Sequence, residues 1–440
     1  MSHAWYRAAF LISLLIAVPV AAAAAPAQWL DVCPTAARMG IVADRTAAAR
    51  EVYRYSFGAT TYDGTGPAGP LVARGGSLYG VTGNGGANFA GTVFKLTPIG
   101  QWYRESILFN FGGSAGADES PVGGLVDDGA GNFFGVATVG GTWQQGVVFE
   151  LSPSPSGYVQ TILYNFLPYT VNDVDYPLSP NGSLVRDASG ALYGTTAGGG
   201  LGPPPGNGTV FKLTPTTSGY TESLLYAFGT NSNDGLVPRS GLAIDKTGAL
   251  YGTAIQGGAH GAGTVFKLTP TPVGYRERTL HAFGENLSDG ATPFAGVILN
   301  GAGVVFGTTY GGGINNGGTV FALTPTQGIY HETVLHRFGA VNYDGLGPFG
   351  RLVAGPNGNL YGTTEVSGNN GGGGGVAFEL ISAANGGCRE VVLHQFGSSS
   401  NDGLNPFYTL IFNWKGNLFG TTPAGGKFGD GTTFELELTP

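Results

Sequence analysis

A phrase of the form Leu-Tyr-Gly-Thr-Thr occurs seven times along this 440-residue chain, beginning at Leu78, Phe133, Leu192, Leu250, Val305, Leu360 and Leu418. Three further phrases recur in step with it. One resembles Gly-Thr-Val-Phe-Lys-Leu-Thr-Pro and starts at Gly91, Gly146, Gly208, Gly263, Gly318, Gly375 and Gly431. Another, of the type Tyr-x-Glu-x-x-Leu-Tyr-x-Phe, ends at Phe57, Phe111, Phe166, Phe228, Phe283, Phe338 and Phe396. The fourth, Gly-Leu-x-x-Asp-x-x-Gly, is typified by Gly241 to Gly248. A repeat of about 55 residues is one supersecondary unit that must stack on its neighbours to bury its apolar faces. The chain therefore need not divide into two domains, although it exceeds the roughly 250–300 residues that one core ordinarily serves.

Each phrase is rich in aromatic and β-branched residues and bounded by Gly, Pro, Asn or Asp, which marks short strands. In the fourth copy they predict strand A over Gly241 to Asp245, B over Leu250 to Ala254, C over Gly263 to Thr269 and D over Tyr275 to Phe283. Asp245 to Gly248 reads as the A-to-B hairpin turn, with Asp capping and Gly accepting positive φ. The ends of the pattern decide between a ring and a solenoid. The first recognisable element, Arg50 to Phe57, is a D strand, whereas the last copy stops after a C strand. One copy is thus split across the termini, and pairing Arg50 to Phe57 with Gly431 to Leu438 would close a ring without exposed sheet edges. The expectation is an all-β, seven-bladed β-propeller with four antiparallel strands per blade, the N-terminal strand completing the last one. An open solenoid, which would need caps at both ends, is the alternative.

Composition agrees with β structure: Gly 80, Pro 26, Tyr 20 and Phe 26, with only 11% charged residues. Lys and Arg number 20 against 28 Asp and Glu, and no basic cluster stands ready to neutralise successive phosphates, which argues against nucleic acid. Met1 to Ala25 carries Arg7, an apolar run from Phe10 to Val20 and a string of Ala, the layout of a secretory signal peptide. Residues 1–24 are accordingly expected to be removed, 25–49 to form a lead segment and 50–440 to form one propeller domain. No later stretch is apolar enough to span a membrane.

The ordered recurrence of these phrases resembles the GloVer tandem-repeat family over about residues 50 to 440. That resemblance implies an exported bacterial protein, secreted, periplasmic or at the cell surface, and attaches no biochemical activity to the repeat. Family members often carry a C-terminal anchoring segment, and this sequence ends at Pro440 directly after the last strand.

In propellers the D-to-A and B-to-C connections share a face, and here they are the longer and more varied connections. The D-to-A connections carry Asp63, Asp234, Asp289, Asp344 and Asp402, each before a Gly, with Asp118 and Asp173 or Asp175 in the irregular copies. Carboxylates converging on a channel mouth could collect Ca²⁺, but capping of each Asp's own turn is the reading preferred. His281, His336 and His394 fall two residues before the terminal Phe of strand D, where other copies have Tyr or Phe, and read as packing residues.

Irregularity points elsewhere. Leu167 to Asn181 and Gly202 to Asn207 lengthen two loops of the third copy. With Trp143 and His260 nearby in sequence register, Tyr169, Asp173, Asp175 and Tyr176 would form an aromatic and acidic patch suited to carbohydrate. No nucleophile elbow, zinc motif or P-loop is present, so no catalytic residue is assigned. Cys33 and Cys388, the only cysteines, are expected to pair across the closing seam in an oxidising compartment. The favoured reading is a monomeric binding or scaffold module for a carbohydrate or protein ligand. Its rivals are a glycoside hydrolase or lyase using Asp173, Asp175 or His260, and a structural surface protein.

Overall fold

The computed structural model describes residues 49–100, 102–113, 119–167, 177–202, 206–313, 315–340, 344–367, 373–382 and 388–438. Cys33, Tyr169, Asp173, Asp175, Tyr176 and the signal segment lie outside the described residues. Every regular element among the described residues is a strand, and the strands assemble into seven antiparallel blades arranged as a propeller. In the fourth blade the order from the axis outward is Ala243–Ile244, Leu250–Ala254, Thr264–Thr271 and Gly274–Ala282, which is chain order. The seventh blade runs Ile411–Phe412, Leu418–Thr422, Thr432–Glu437 and then Arg50–Ser56. Tyr53 pairs with Phe434, and the Phe57 amide donates to the Gly431 carbonyl at 3.0 Å. Ring closure by the N-terminal strand is therefore as the split repeat requires. Arg54 reinforces it by donating from Nε to Glu435 Oε2 at 2.6 Å.

Strand A differs from expectation in being broken. In the fourth blade, Gly235–Leu236 pairs with Gln256–Gly257 and Ala243–Ile244 pairs with the start of strand B, the segment between them leaving the ladder. Pro238 lies in the gap, and a residue without an N–H cannot continue a ladder. Pro293 and Pro406 occupy the same place in the fifth and seventh blades, whereas Pro348 ends the first segment, paired with Thr364. The second and third blades keep a continuous strand but shift register after Val122 and Asn181, one residue beyond Pro121 and Pro180.

The core lies between blades. Phe57, Phe111, Phe166, Phe228, Phe283, Phe338 and Phe396, which end the D strands, each meet the strand C Phe of the next blade. Centroid separations run from 4.8 Å for Phe396–Phe434 to 5.4 Å for Phe166–Phe211, so all seven seams share one contact. Most are edge-to-face, the arrangement aromatic quadrupoles favour. This contact explains the Gly of Leu-Tyr-Gly-Thr-Thr. A Cβ added at Gly252 would stand 2.5 Å from Cζ of Phe266, and the same clash recurs at the equivalent Gly of every blade.

A bulge in strand D lets each blade grip both neighbours. In the fourth blade Val265 pairs with His281 and Phe266 with Thr279, leaving Leu280 as an extra residue. Because side chains alternate with period two, one inserted residue turns the rest of the strand to the other face. Before the bulge Tyr275 packs on the third blade, whereas after it Phe283 packs on the fifth. All seven C–D pairs carry this shift at the same place.

Candidate functional site

The bulge brings three phrases together in a buried polar knot at five of the seams, those that carry Tyr55, Tyr226, His281, His336 and His394, whereas Phe109 holds that slot in the first blade. Past it stands the Tyr or His of one D strand, and before it the Glu of the next blade's D strand. Between them the Asp of the D-to-A connection completes the set. At the closing seam the Tyr55 hydroxyl lies 3.0 Å from both Asp63 Oδ2 and Glu105 Oε2. One hydroxyl carries one proton, so it can donate to only one of the two carboxyl groups, and a proton held on Glu105 beside Asp63 eases the pair. In the His versions, His336 Nε2 is 3.3 Å from Asp344 and 3.8 Å from Glu390. His394 Nε2 is 3.2 Å from Glu51 and 3.3 Å from Asp402. The slot histidines do pack as aromatics, edge-to-face on Phe283, Phe338 and Phe396, but they also bridge blades.

The Asp residues cap their own connections. Asp234 accepts from the amides of Gly229 and Thr230 at 2.8 and 3.0 Å, and Asp289 from Gly284 and Glu285 at 2.7 and 3.0 Å. Asp63, Asp234, Asp289, Asp344 and Asp402 are all buried, each at its own seam. His281, Asp289 and Glu332, and the two equivalent groups at the later seams, bring one nitrogen and two carboxylate oxygens within 4.8 Å, a donor set that would suit a small divalent ion. The Tyr knots build the same bridge with a hydroxyl, and Ca²⁺ prefers oxygen alone. Joining blades is the role common to both versions.

Burial, with the adjacent Asp, pushes the carboxyl of Glu105 up to about 9 and that of Glu277 to about 7. Burial also lifts Glu332 to about 7 and Glu390 well above the ordinary carboxylate range. Although burial opposes it, the Asp289 hydrogen bond raises His281. A raised group favours folding below its unfolded value, near 4.5 for Glu and 6.5 for His, and loses that contribution as pH rises through its folded value. Asp289 and Asp402, held low despite burial by hydrogen bonds that include the neighbouring His, favour folding above 3.8 and lose it as pH falls. Thermal stability should therefore peak near pH 4 to 4.5, fall as pH rises from there while Glu277, Glu332 and Glu105 stay protonated in the fold, and level off in stages only above pH 7 and pH 9. Melting temperatures across pH 4 to 10 check this, and a flat profile above pH 6.5 would contradict it.

The site with most chemical asymmetry lies at the channel. The third residue after the strand A Pro forms a ring: Pro70, Gly124, Ser183, Gly241, Gly296, Arg351 and Thr409. Its members touch around the axis. A Cβ on Gly124 would meet Pro70 and the Ser183 hydroxyl, and one on Gly296 would meet Gly241 and, at 3.4 Å, Cδ of Arg351. Six small residues thus leave room for one long cation.

Two residues nearer the D-to-A face is a second ring, comprising Ala68, Val122, Asn181, Arg239, Phe294, Phe349 and Phe407. Phe294 and Phe349 stack at 4.9 Å with a 19° interplanar angle, and Phe407 lies 5.4 Å beyond. Tyr310, from strand B of the fifth blade, stands edge-on to Phe294 at 5.5 Å. A facing Glu365, with burial second, raises its hydroxyl. All four rings are half-buried. One side of the mouth is an aromatic wall; the other has small or polar side chains.

Trp143 and His260 are exposed in B-to-C connections of the second and fourth blades, separated by the third blade. No contact joins them among the described residues, and the patch expected between them rests on residues that are not described. The aromatic wall was legible in principle, since aligning the copies on the strand A Pro shows the next position changing from Ala, Val, Asn and Arg to Phe in three successive copies.

A family model described as the Gloeobacter/Verrucomicrobia repeat matches residues 35–179, 169–373 and 271–440. No curated protein matches. Among solved structures, a putative 6-phosphogluconolactonase from Bacteroides uniformis is similar at 12% identity, with 78% of this chain and 94% of that chain covered and a TM-score of 0.48. A putative oxidoreductase (glucose dehydrogenase) from Thermus thermophilus shows 16% identity over 76% of this chain and 100% of its own, with a TM-score of 0.43. A protein of unknown function from Dyadobacter fermentans is 11% identical over 90% and 99%, with a TM-score of 0.45.

Proposed function

From a chain that belongs to the Gloeobacter/Verrucomicrobia repeat family, with a propeller as its fold, we propose an exported binding module that takes its ligand at the channel mouth on the D-to-A face. The carrying observation is the wall of Phe294, Phe349, Phe407 and Tyr310. Half-exposed aromatics from three successive blades have no packing duty that the other four blades share. Such a wall suits the flat apolar face of a sugar or an aromatic ring. Trp143 and His260, exposed in B-to-C connections, would add to its rim.

Export rests on the apolar run Phe10 to Val20. The Cys33–Cys388 bridge fits that setting, no free cysteine being present among the described residues. Peptide mapping without reductant that recovers both thiols unpaired would remove it.

Screening the protein against glycan and small-aromatic arrays tests the binding reading. Hits are expected to weaken at least tenfold in Phe349→Ala with little change in melting temperature. Silence on every array would favour a structural surface protein. Turnover of a glycan that is lost in Asp175→Asn would favour the hydrolase.

A further inference from the structure

The ring of small residues around Arg351 bears on what such a mouth would accept, and this step rests on the binding reading above. Half-buried Arg351 makes no hydrogen bond or ion pair with any described residue, and partial loss of water around it lowers its proton affinity. A guanidinium has five donors in a fixed fork and is costly to leave desolvated without an acceptor. Its place in the fold is specific. In the matching gaps of strand A in the fifth and sixth blades, Phe294 stacks on Phe349, and two residues further along the chain Arg351 lies over Gly296. Gly296 leaves space beside the Arg351 stem, since any side chain there would collide with the Gly241 carbonyl and crowd Cδ of Arg351.

We propose that the channel mouth binds a flat-ringed monoanion, its ring against Phe294, Phe349 and Phe407 and its carboxylate received in a fork by Arg351. A carboxylate matches the guanidinium with two parallel hydrogen bonds. A single cation at the floor neutralises one charge, which favours a carboxylate over a phosphate dianion on a protein of net charge −8. Arg239, exposed in the fourth-blade position of the Phe ring and also without a side-chain partner, lies at the rim where it can draw an anion inward. Two sources share this chemistry, a sugar acid and an aromatic acid, and the probes separate them.

The experiment titrates the full chain with sodium glucuronate, glucose, sodium benzoate and benzyl alcohol by calorimetry or ligand-observed NMR, at 20 and 300 mM NaCl. At least one acid should bind ten times more tightly than its neutral counterpart and weaken with salt. That preference should vanish in Arg351→Met, which keeps the stem in the channel, and persist in part in Arg351→Lys. Melting curves of both variants separate loss of recognition from loss of fold. If acid and neutral probes bind alike and Arg351→Met changes neither, while Phe349→Ala abolishes both, the mouth binds rings but the anion preference is wrong. If none of the four probes binds the intact protein, the inference fails together with this use of the mouth, whereas array hits that map elsewhere would leave only the broader binding role.

Discussion

A chain beginning at Gly58 should lose the cooperative thermal transition of the full protein and associate through its last strand. Removing Arg50–Ser56 and Phe57 leaves Thr432–Glu437 as an unpaired edge, which invites pairing with other chains. It also removes a Phe buried to 0% exposure from the contact with Phe94 that closes the ring, a loss worth about 3–5 kcal/mol by itself. The Arg54–Glu435 pair goes with it, leaving a carboxylate at 5% side-chain exposure without its cation. Regrafting residues 50–57 behind Leu438 through a short turn, like those joining C to D elsewhere, should restore the transition, because only connectivity changes. Calorimetry and size-exclusion chromatography read both variants. A truncated chain that melts as sharply and as high as the intact one would show that the ring does not depend on its seam.

Asp344→Ala is expected to cost about 3–5 kcal/mol, far more than a surface substitution. Asp344 is fully buried, faces His336 Nε2 at 3.3 Å and accepts the Ala340 amide at 3.1 Å. Its removal strands the imidazole, the loop amide and Glu390 in the seam at once, and an unmet buried donor carries its whole desolvation penalty. Asp344→Asn keeps the shape and one acceptor and should cost less than half as much. Urea denaturation of the two variants measures the difference. Equal and small losses would mean that the knots are incidental to how blades hold together. The second phenylalanine-to-alanine class of test, at Phe349, should by contrast leave stability nearly unchanged, because that ring is half-exposed and serves the mouth.

How far the sequence could be read follows from where each signal lies. The strands were legible because their phrases recur with alternating apolar residues and fixed turns; Leu250–Ala254 appears with the bounds expected of it. Closure was legible because Arg50 to Phe57 matches Arg389 to Phe396 in pattern, so a split copy could be recognised from its two ends. The break in strand A was less so, since Pro238 announces a missing donor but not where the chain goes next. At the histidines, the repeat position correctly implied packing against Phe. It was silent on the Asp and Glu partners, which come from different copies and meet only because a bulge turns strand D.

The site shows the same division more sharply. Insertions in the third copy drew attention to Tyr169, Asp173, Asp175 and Tyr176, while the substitutions that alter the channel are single letters in copies of ordinary length. By itself, the sequence determined the number of blades, their strand order and the closing pair. Those are properties of one repeat applied seven times. Tertiary structure alone decided which unlike residues become neighbours around the axis. Phe294, Phe349 and Phe407 lie 55 and 58 residues apart in sequence yet stack in space, and Arg351 fills a channel that six other copies leave open. A ring places position n of every copy side by side, so differences between copies become a surface only once it is closed.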